Sequence, residues 1–577
     1  MSRRLSSDYS MRGFRRKLAS IDAVPQFAIL GVISGIVTGV VILAFRTLIE
    51  IPLGFVLTEG FENFEGLSRE YYLIVPVAGS LVLALIVRLM KPEHVRVGPV
   101  HVLERLARFQ GYMPWQNAAH QFFSGIIALA SGQSGGREGP AIHLGAAGSS
   151  LLGQRLKLPN NSIRILVGCG AAAAISASFN TPMAAVIFSM EVIIMEYTIA
   201  GFIPVILAAV TATLINQIVY GNETAFLVPL EVNMRTLWDI PFLLLEGVVI
   251  GMLAAAFIWL VKFFYRYSPS GAWLRMLMAG LITGVMALAV PQILGVGYDT
   301  VTEALEGKLV ILLLVVTCLF KMVASASTIA MGVPVGVIGP ALFIGAMAGG
   351  ALGQLGNLAF PDLASSPGFY VMLGMGAMMG AVLQAPLAAL MAVMELTHNS
   401  NILLPAMLVV IVANMTASQG FRVRSIFLTQ MEIMGLEFRQ NPLSMALNRA
   451  SVASIMSRSF IRVPRHLPVY GARELVRDKP VWLLVDGSER PAYIMRTEDL
   501  IAFLDTTDAE DVDLAEIPAT RKDVKSILLQ ATLSEALDLL NQTGVQALYV
   551  NRISAPMIDS VVGIITREDI ESYYQPR

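Results

Sequence analysis

Charge is scarce in this chain, and cysteine and histidine are scarcer. Only 14% of its 577 residues are charged while 55% are hydrophobic, too apolar a balance for a soluble protein of this length. The two cysteines, Cys169 and Cys318, sit singly in apolar runs, which excludes a disulfide framework and a cysteine-based metal centre. Six histidines are scattered, and neither His-Glu-x-x-His nor Gly-x-Ser-x-Gly occurs, so the reading is a membrane protein that is not an enzyme. Net charge is −1, yet Arg3, Arg4, Arg12, Arg15, Arg16 and Lys17 crowd the amino terminus against Asp8 alone. That bias reads as a cytoplasmic, membrane-surface segment rather than a nucleic-acid arm, with no secretory signal behind it.

What is present is apolar sequence in long windows. Residues 27–45, 72–86, 202–219, 241–261 and 310–320 can cross, or nearly cross, a hydrocarbon core. Gly and Pro break or shorten several of them, which predicts tilted, incomplete helices. After about Arg422 the composition turns mixed, and short β-like runs (480–485, 547–550, 561–565) alternate with helical stretches such as 533–540. The expected organisation is a basic segment at 1–24, a membrane domain at 25–435, a linker at 436–451 and a duplicated α/β domain at 452–577, divided at about 452–508 and 515–577.

The membrane part repeats itself at an offset of about two hundred residues. Gly136, Gly139, Pro140, Ala141 and Gly145 recur as Gly336, Gly339, Pro340, Ala341 and Gly345, with Arg137 and Glu138 replaced by Val337 and Ile338. A second pair matches Asn180, Pro182 and Glu191 with Gln384, Pro386 and Glu395. Such internal symmetry places a transporter's substrate between its halves, with broken-helix ends pointing at it.

Glycines followed by Pro and an apolar run mark a helix start, where unpaired amides and the positive dipole end attract anions. Close helix packing explains glycines equally well. Glu138 shifts the balance, because a charge deep in the bilayer costs roughly 2.5 to 3.5 kcal/mol and packing alone gives no return. At an anion-binding helix start its carboxylate would be held like a ligand and would leave when protonated. Arg137 reads as a structural lock ahead of an electrostatic partner. Symmetry gives Glu191 and Glu395 a shared structural task, binding amides at a helix break, and His143 reads as an ordinary helix residue ahead of a proton carrier. Lys321 is expected near an interface or a buried carboxylate.

Taken together, these motifs resemble the CLC family of chloride channels and proton-coupled exchangers, of prokaryotic type, across nearly the whole chain. Gly-Arg-Glu-Gly-Pro lies at 136–140, Gly-x-x-x-Pro at 336–340, Phe-Asn-x-Pro with its glutamate at 179–191, and Glu-Leu-Thr-x-Asn at 395–399. The tail resembles a pair of CBS domains. The resemblance implies a homodimer of multi-pass subunits in a prokaryotic inner membrane, both termini cytoplasmic, with each subunit built from two inverted halves of tilted, broken helices. Membrane lipid, chloride or another small anion, and no nucleic acid, are the implied partners. Glu138 is the implied gate, and amides around Gly136, Arg137, Val337 and Ile338 the implied anion sites. In the second CBS-like unit Thr566 and Asp569 match a ribose-contacting motif, and Asp499 remains in the first where Arg496 replaces the threonine. Adenine nucleotide is thus a candidate ligand of the tail, although an Asp or Thr there is also a plain helix cap; no cofactor is required.

Three positions depart from the family pattern. Arg96 aligns with the serine of the central anion site, leaving it either a fixed pathway cation or a loop residue, and Phe427 aligns with the pathway tyrosine, without its hydroxyl. Val192 stands where proton-coupled members often carry a second glutamate. Valine relays no proton, so the expectation is a passive anion channel gated by protonatable Glu138, with a proton-coupled exchanger as the alternative.

Overall fold

A computed structural model describes residues 23–57, 62–158, 160–197, 199–221, 233–436, 447, 450–487, 491–506, 510–529, 531–553 and 559–574. The basic amino-terminal segment lies outside them. The described chain forms two compact units, one covering 23–158 and 162–438, the other holding the tail from 439.

Seventeen helices of the first unit position the site: α1 (Ala23–Val56), α2 (Tyr71–Leu89), α3 (Gly98–Arg108), α4 (Trp115–Ala130), α5 (Glu138–Arg155), α6 (Asn160–Phe179), α7 (Pro182–Phe188), α8 (Ile199–Tyr220) and α9 (Ile240–Tyr267), then α10 (Ala272–Ala287), α11 (Tyr298–Leu305), α12 (Ile311–Ala330), α13 (Ile338–Ala359), α14 (Pro367–Leu383), α15 (Pro386–Thr397), α16 (Leu403–Met415) and α17 (Ile426–Ile433). Eight helical spans among the described residues are long and apolar enough to cross a membrane; four of the five expected windows lie within one of them, and 310–320 starts one residue before the span Ile311–Ala330. Shorter apolar helices, α7, α10, α14 and α15, are the incomplete ones that Gly and Pro announced.

The halves meet reciprocally. Glu395, near the end of α15, accepts from the amides of Met183 (2.8 Å) and Ala184 (2.7 Å) at the start of α7. Glu191, just beyond α7, accepts from those of Leu387 (3.4 Å) and Ala388 (2.9 Å) at the start of α15. Contacts exchanged in this way at matching positions are the signature of a two-fold relation. Each carboxylate satisfies amides that a helix start leaves unpaired. The same symmetry governs chain reversals: α6 and α14 end at Asn180 (φ 59°) and Gln384 (φ 53°), both left-handed.

Glycine lets the helices touch. A Cβ on Gly145 would lie 2.2 Å from the carbonyl oxygen of Gly170, and one on Gly345 would lie 2.2 Å from that of Gly374. The α5/α6 crossing is therefore repeated as the α13/α14 crossing, with no room for a side chain at either. Lys321 meets the second of its two expectations, since it is fully buried within α12 and within electrostatic reach of Asp299 and the buried Glu62. Its ammonium donates to the carbonyls of Ile293 (3.0 Å), Gly295 (2.8 Å) and Val296 (3.2 Å), which uses all three of its protons.

The tail is a duplicated α/β unit. Strands β1 (Phe460–Val463), β2 (His466–Pro468), β3 (Trp482–Asp486), β4 (Pro491–Arg496), β5 (Asp511–Asp513), β6 (Lys522–Leu528), β7 (Ala547–Ile553) and β8 (Asp559–Thr566) include a six-stranded sheet in the order β1-β3-β4-β6-β7-β8. Pairing runs parallel then antiparallel in β1-β3-β4, and again in β6-β7-β8, with β4 and β6 joining the copies.

Replacing Gly345 with Leu forces a side chain onto backbone and is expected to destabilise the membrane unit by about 1 to 3 kcal/mol or more. Gly54→Ala, at a position with nothing within 4 Å of an added Cβ, is expected to be near neutral. Thermal unfolding followed by size-exclusion chromatography in detergent compares the two.

Candidate functional site

Two helix starts converge at the centre of the membrane unit. Gly136 and Gly336 pair as an isolated antiparallel bridge, amide to carbonyl in both directions, at 2.9 and 2.6 Å. α5 begins at Glu138 with Arg137 as its cap residue, and α13 begins at Ile338 with Val337 as its cap residue. The approach needs glycine, because a Cβ on Gly139 would stand 2.6 Å from the Cα of Gly336. First-turn amides have no partners inside their own helices, so two positive ends face one small region.

The carboxylate of Glu138 fills that region. Fully buried, it accepts from the amide of Gly339 in the first turn of α13 (Oε2, 3.1 Å) and from the hydroxyl of Tyr298 (Oε1, 2.5 Å). Glu138 thus sits on the opposite half's helix start in the way a bound anion would. Tyr298 was not legible as a site residue, lying 160 positions away in sequence with no motif of its own. Its helix follows Gly297, whose φ of 83° turns the chain into α11.

Arg137 reaches three elements, by both a hydrogen bond and an ion pair. Its guanidinium donates to the Ser178 carbonyl (3.1 Å), lies 3.6 Å from the Glu50 carboxylate and faces the Tyr298 ring at 5.4 Å, tying α1, the end of α6 and α11 to the start of α5. In the loop between α1 and α2, Glu62 accepts from the Tyr298 amide (3.1 Å) and Glu65 from the Thr300 hydroxyl (3.1 Å). Burial pushes both of these carboxyls up to about 7, against the pull of Arg137 on Glu62 and of the Thr300 hydroxyl on Glu65.

The remaining predicted residues are placed as follows. Arg96 pairs with Glu104 of α3 at 2.6 Å, its side chain about half exposed, which engages it as a local ion-pair residue at the entry to α3. Phe427 is buried in α17, whose start Ser425 caps by accepting from Leu428. Val192 is buried in the π-helical stretch Ser189–Ile194. Between α7 and Ile338 lies a cavity lined by Phe179, Ala184, Phe188, Ile338 and Leu342, with Thr181 the polar side chain in its wall. In the tail, Thr566 and Asp569 bond each other: both the amide and the hydroxyl of Thr566 donate to Asp569 Oδ2 at 2.8 Å, a cap on the closing helix. Asp499 accepts from the Thr520 amide at 3.3 Å.

Removing one donor from a buried carboxylate costs about 1.5 to 3 kcal/mol. Tyr298→Phe should therefore loosen Glu138 from its seat and raise anion efflux at pH 7.5 by roughly tenfold, toward its rate at pH 4.5. Stopped efflux traces at the two pH values check this, and an unchanged ratio would remove Tyr298 from the gate.

A family model described as voltage gated chloride channel matches residues 79–418, and a CBS domain model matches residues 514–575. A putative chloride channel protein ClcB-like of Ralstonia nicotianae is 31% identical over 353 residues, covering 60% of this chain and 82% of that protein. The H(+)/Cl(-) exchange transporter ClcA of Vibrio cholerae serotype O1 is 30% identical over 304 residues, 50% of this chain and 64% of that one. The protein of the same name in Vibrio vulnificus is 27% identical over 395 residues, covering 66% and 82%. In fold, the chain is similar to a slow cyanobacterial Cl-/H+ antiporter (TM-score 0.61, 20% identity, 73% of this chain and 99% of that one). A eukaryotic CLC transporter gives a TM-score of 0.56 at 19% identity, over 97% and 98%. The passive channel expected from Val192 is corrected by these comparisons, because relatives at 30% and 27% identity are exchange transporters. A valine at that position offers no proton carrier there, while the Glu138 carboxylate remains buried on the paired helix starts. With the family model spanning residues 79–418, the chain belongs to the voltage-gated chloride channel family.

Proposed function

We propose that the protein is a proton-coupled anion exchanger, with chloride as its anion, working as a homodimer in a prokaryotic inner membrane with both termini cytoplasmic. The observation that supports this most is Glu138 seated on the Gly339 amide, where a side-chain anion occupies a place built for a free one. Ionised, the carboxylate holds the helix-start amides and blocks the path. Protonation removes the charge that those amides and the dipole bind, so the side chain leaves and an anion takes its place. Proton and anion then exclude each other from one position, which is the elementary requirement of exchange.

The anion is held by backbone in this reading. Phe427 has no hydroxyl to offer, and Arg96 is engaged by Glu104. Discrimination among small anions therefore rests on amides, dipole ends and dehydration rather than on a dedicated side-chain donor.

Proteoliposomes test the reading directly. An outward chloride gradient should drive protons uphill in a fixed ratio, and Glu138→Gln should pass chloride at a rate independent of pH while moving no protons. Chloride flux with no proton movement in the native protein would overturn exchange.

A further inference from the structure

The turn between α1 and α2 carries two carboxylates that the reading above does not use. Asn63 caps it there, a 3-10 turn at Phe64–Gly66, by accepting from the Gly66 amide at 3.0 Å. Phe64 is buried, and its ring fills a notch that two glycines leave open: an added Cβ would stand 3.1 Å from it on Gly132 and 2.7 Å from it on Gly295. Those glycines belong to the turns that lead into α5 and α11, and the Gly295 amide donates to the Gly132 carbonyl at 3.1 Å. On either side of this wedge, Glu62 accepts from the Tyr298 amide and Glu65 from the Thr300 hydroxyl. Tyr298 therefore touches the turn with its backbone and Glu138 with its hydroxyl.

Carboxylates are a costly choice for these two bonds, since amide side chains would accept them without bringing charge into a packed contact. The neighbours do little to offset that charge. From α11, Asp299 repels both Glu62 and Glu65, and Glu303 repels Glu65; from α1, Glu50 repels Glu62 although Arg46 holds it at 2.5 Å. Arg137 of α5 attracts Glu62 and Lys321 of α12 attracts Glu65, but the first is shared with Glu50 and the Ser178 carbonyl, and the second with three carbonyls. From α2, Tyr72 donates to the Glu65 carbonyl. Burial, with the like charges behind it, leaves both carboxyls at about 7 rather than the ordinary 4.5. A seated carboxyl thus holds its proton more tightly than one in water, so raising the pH from 4.5 to about 7 increasingly favours the unseated turn, and the loss is complete above that. A cavity between the turn and α1, with Glu62, Phe64, Arg137 and Val296 in its wall, leaves the wedge room to move.

We infer that the turn 62–66 is a pH-operated strap on the seat of Glu138: with its carboxyls protonated it fixes Tyr298 against Glu138, and on losing those protons it parts from α11 and lets Tyr298 slacken. The inference rests on the reading of Glu138 as the gate. The strap works against the gate's own response. Acid frees Glu138 by removing its charge, whereas alkali loosens the Tyr298 hydroxyl that holds it, so the strap sustains anion passage at the pH where Glu138 is seated most firmly.

Combining Glu62→Gln with Glu65→Gln keeps both acceptors and removes both titrations. In proteoliposomes with equal pH on the two faces, the double variant is expected to pass chloride roughly threefold more slowly than the native protein at pH 8, and at an unchanged rate at pH 4.5. In a Tyr298→Phe background the same pair is expected to change nothing, because the hydroxyl that transmits the strap is gone. Hydrogen exchange at residues 62–70, corrected for the intrinsic rate, reads the strap itself: protection should fall between pH 5 and pH 8 in the native protein and stay level in the double variant. Native protection that does not vary with pH, a double variant as fast as the native protein at pH 8, or equal slowing at both pH values would each overturn the strap. Chloride flux without proton movement would overturn exchange, while the pH 8 difference and the change in protection upheld the strap.

Discussion

Two backbone hydrogen bonds between Gly136 and Gly336 hold the paired helix starts together. They bring the starts of α5 and α13 close enough for their unpaired amides and dipole ends to act on one volume. Neither helix start alone would outcompete water for a small anion. Enclosed together in a dry interior, where opposite charges and dipoles interact far more strongly than in solvent, they replace a hydration shell. Glycine is required on both sides of that bridge because the backbones lie within Cβ distance of each other. The bridge also joins the two halves of the repeat, so the site exists only where the halves meet.

The scaffold around the bridge is arranged to leave those amides available. Glu191 and Glu395 satisfy the amides at the starts of α15 and α7 respectively. Lys321 gathers three carbonyls of the turn before α11 and so fixes the position from which Tyr298 reaches Glu138. Arg137 ties the gate loop to α1 and α6. Lys321 and Arg137 are thus matched to backbone carbonyls or an opposite charge, as the interior demands. Glu138 differs in having partners that a free anion can replace.

Much of this was legible in the residues. Repetition of Gly-x-x-Gly-Pro at a two-hundred-residue offset gave the paired helix starts, and the matching glutamates gave a structural role that the reciprocal caps fulfil. The apolar windows found their helices, since hydrophobic length is read directly by a bilayer. Tyr298 was hidden for a physical reason: its hydroxyl meets Glu138 through a convergence of loops that no local period encodes. Lys321 was legible in part: carboxylates such as Glu62 and Asp299 do act on it, whereas the backbone carbonyls that solvate its ammonium inside α12 carry no sequence signal. Val192 misled. A single missing carboxylate says what cannot carry a proton at that position and nothing about what else lies buried nearby.

That last point separates two demands that the site places on the chain. In the proposed reading anion binding would depend on backbone, and neither Arg96, held by Glu104, nor Phe427, without a hydroxyl, bears on the amides of the two helix starts. Proton movement depends on side chains that change protonation, and these can be supplied from any element packed close to α5. The anion half of the mechanism is therefore tied to the repeat and to its glycines, while the proton half is free to be rebuilt around them. In the exchange reading Glu138 is where the two demands coincide, because its carboxylate would be at once the anion's competitor and the proton's acceptor. Coupling would follow from that double identity.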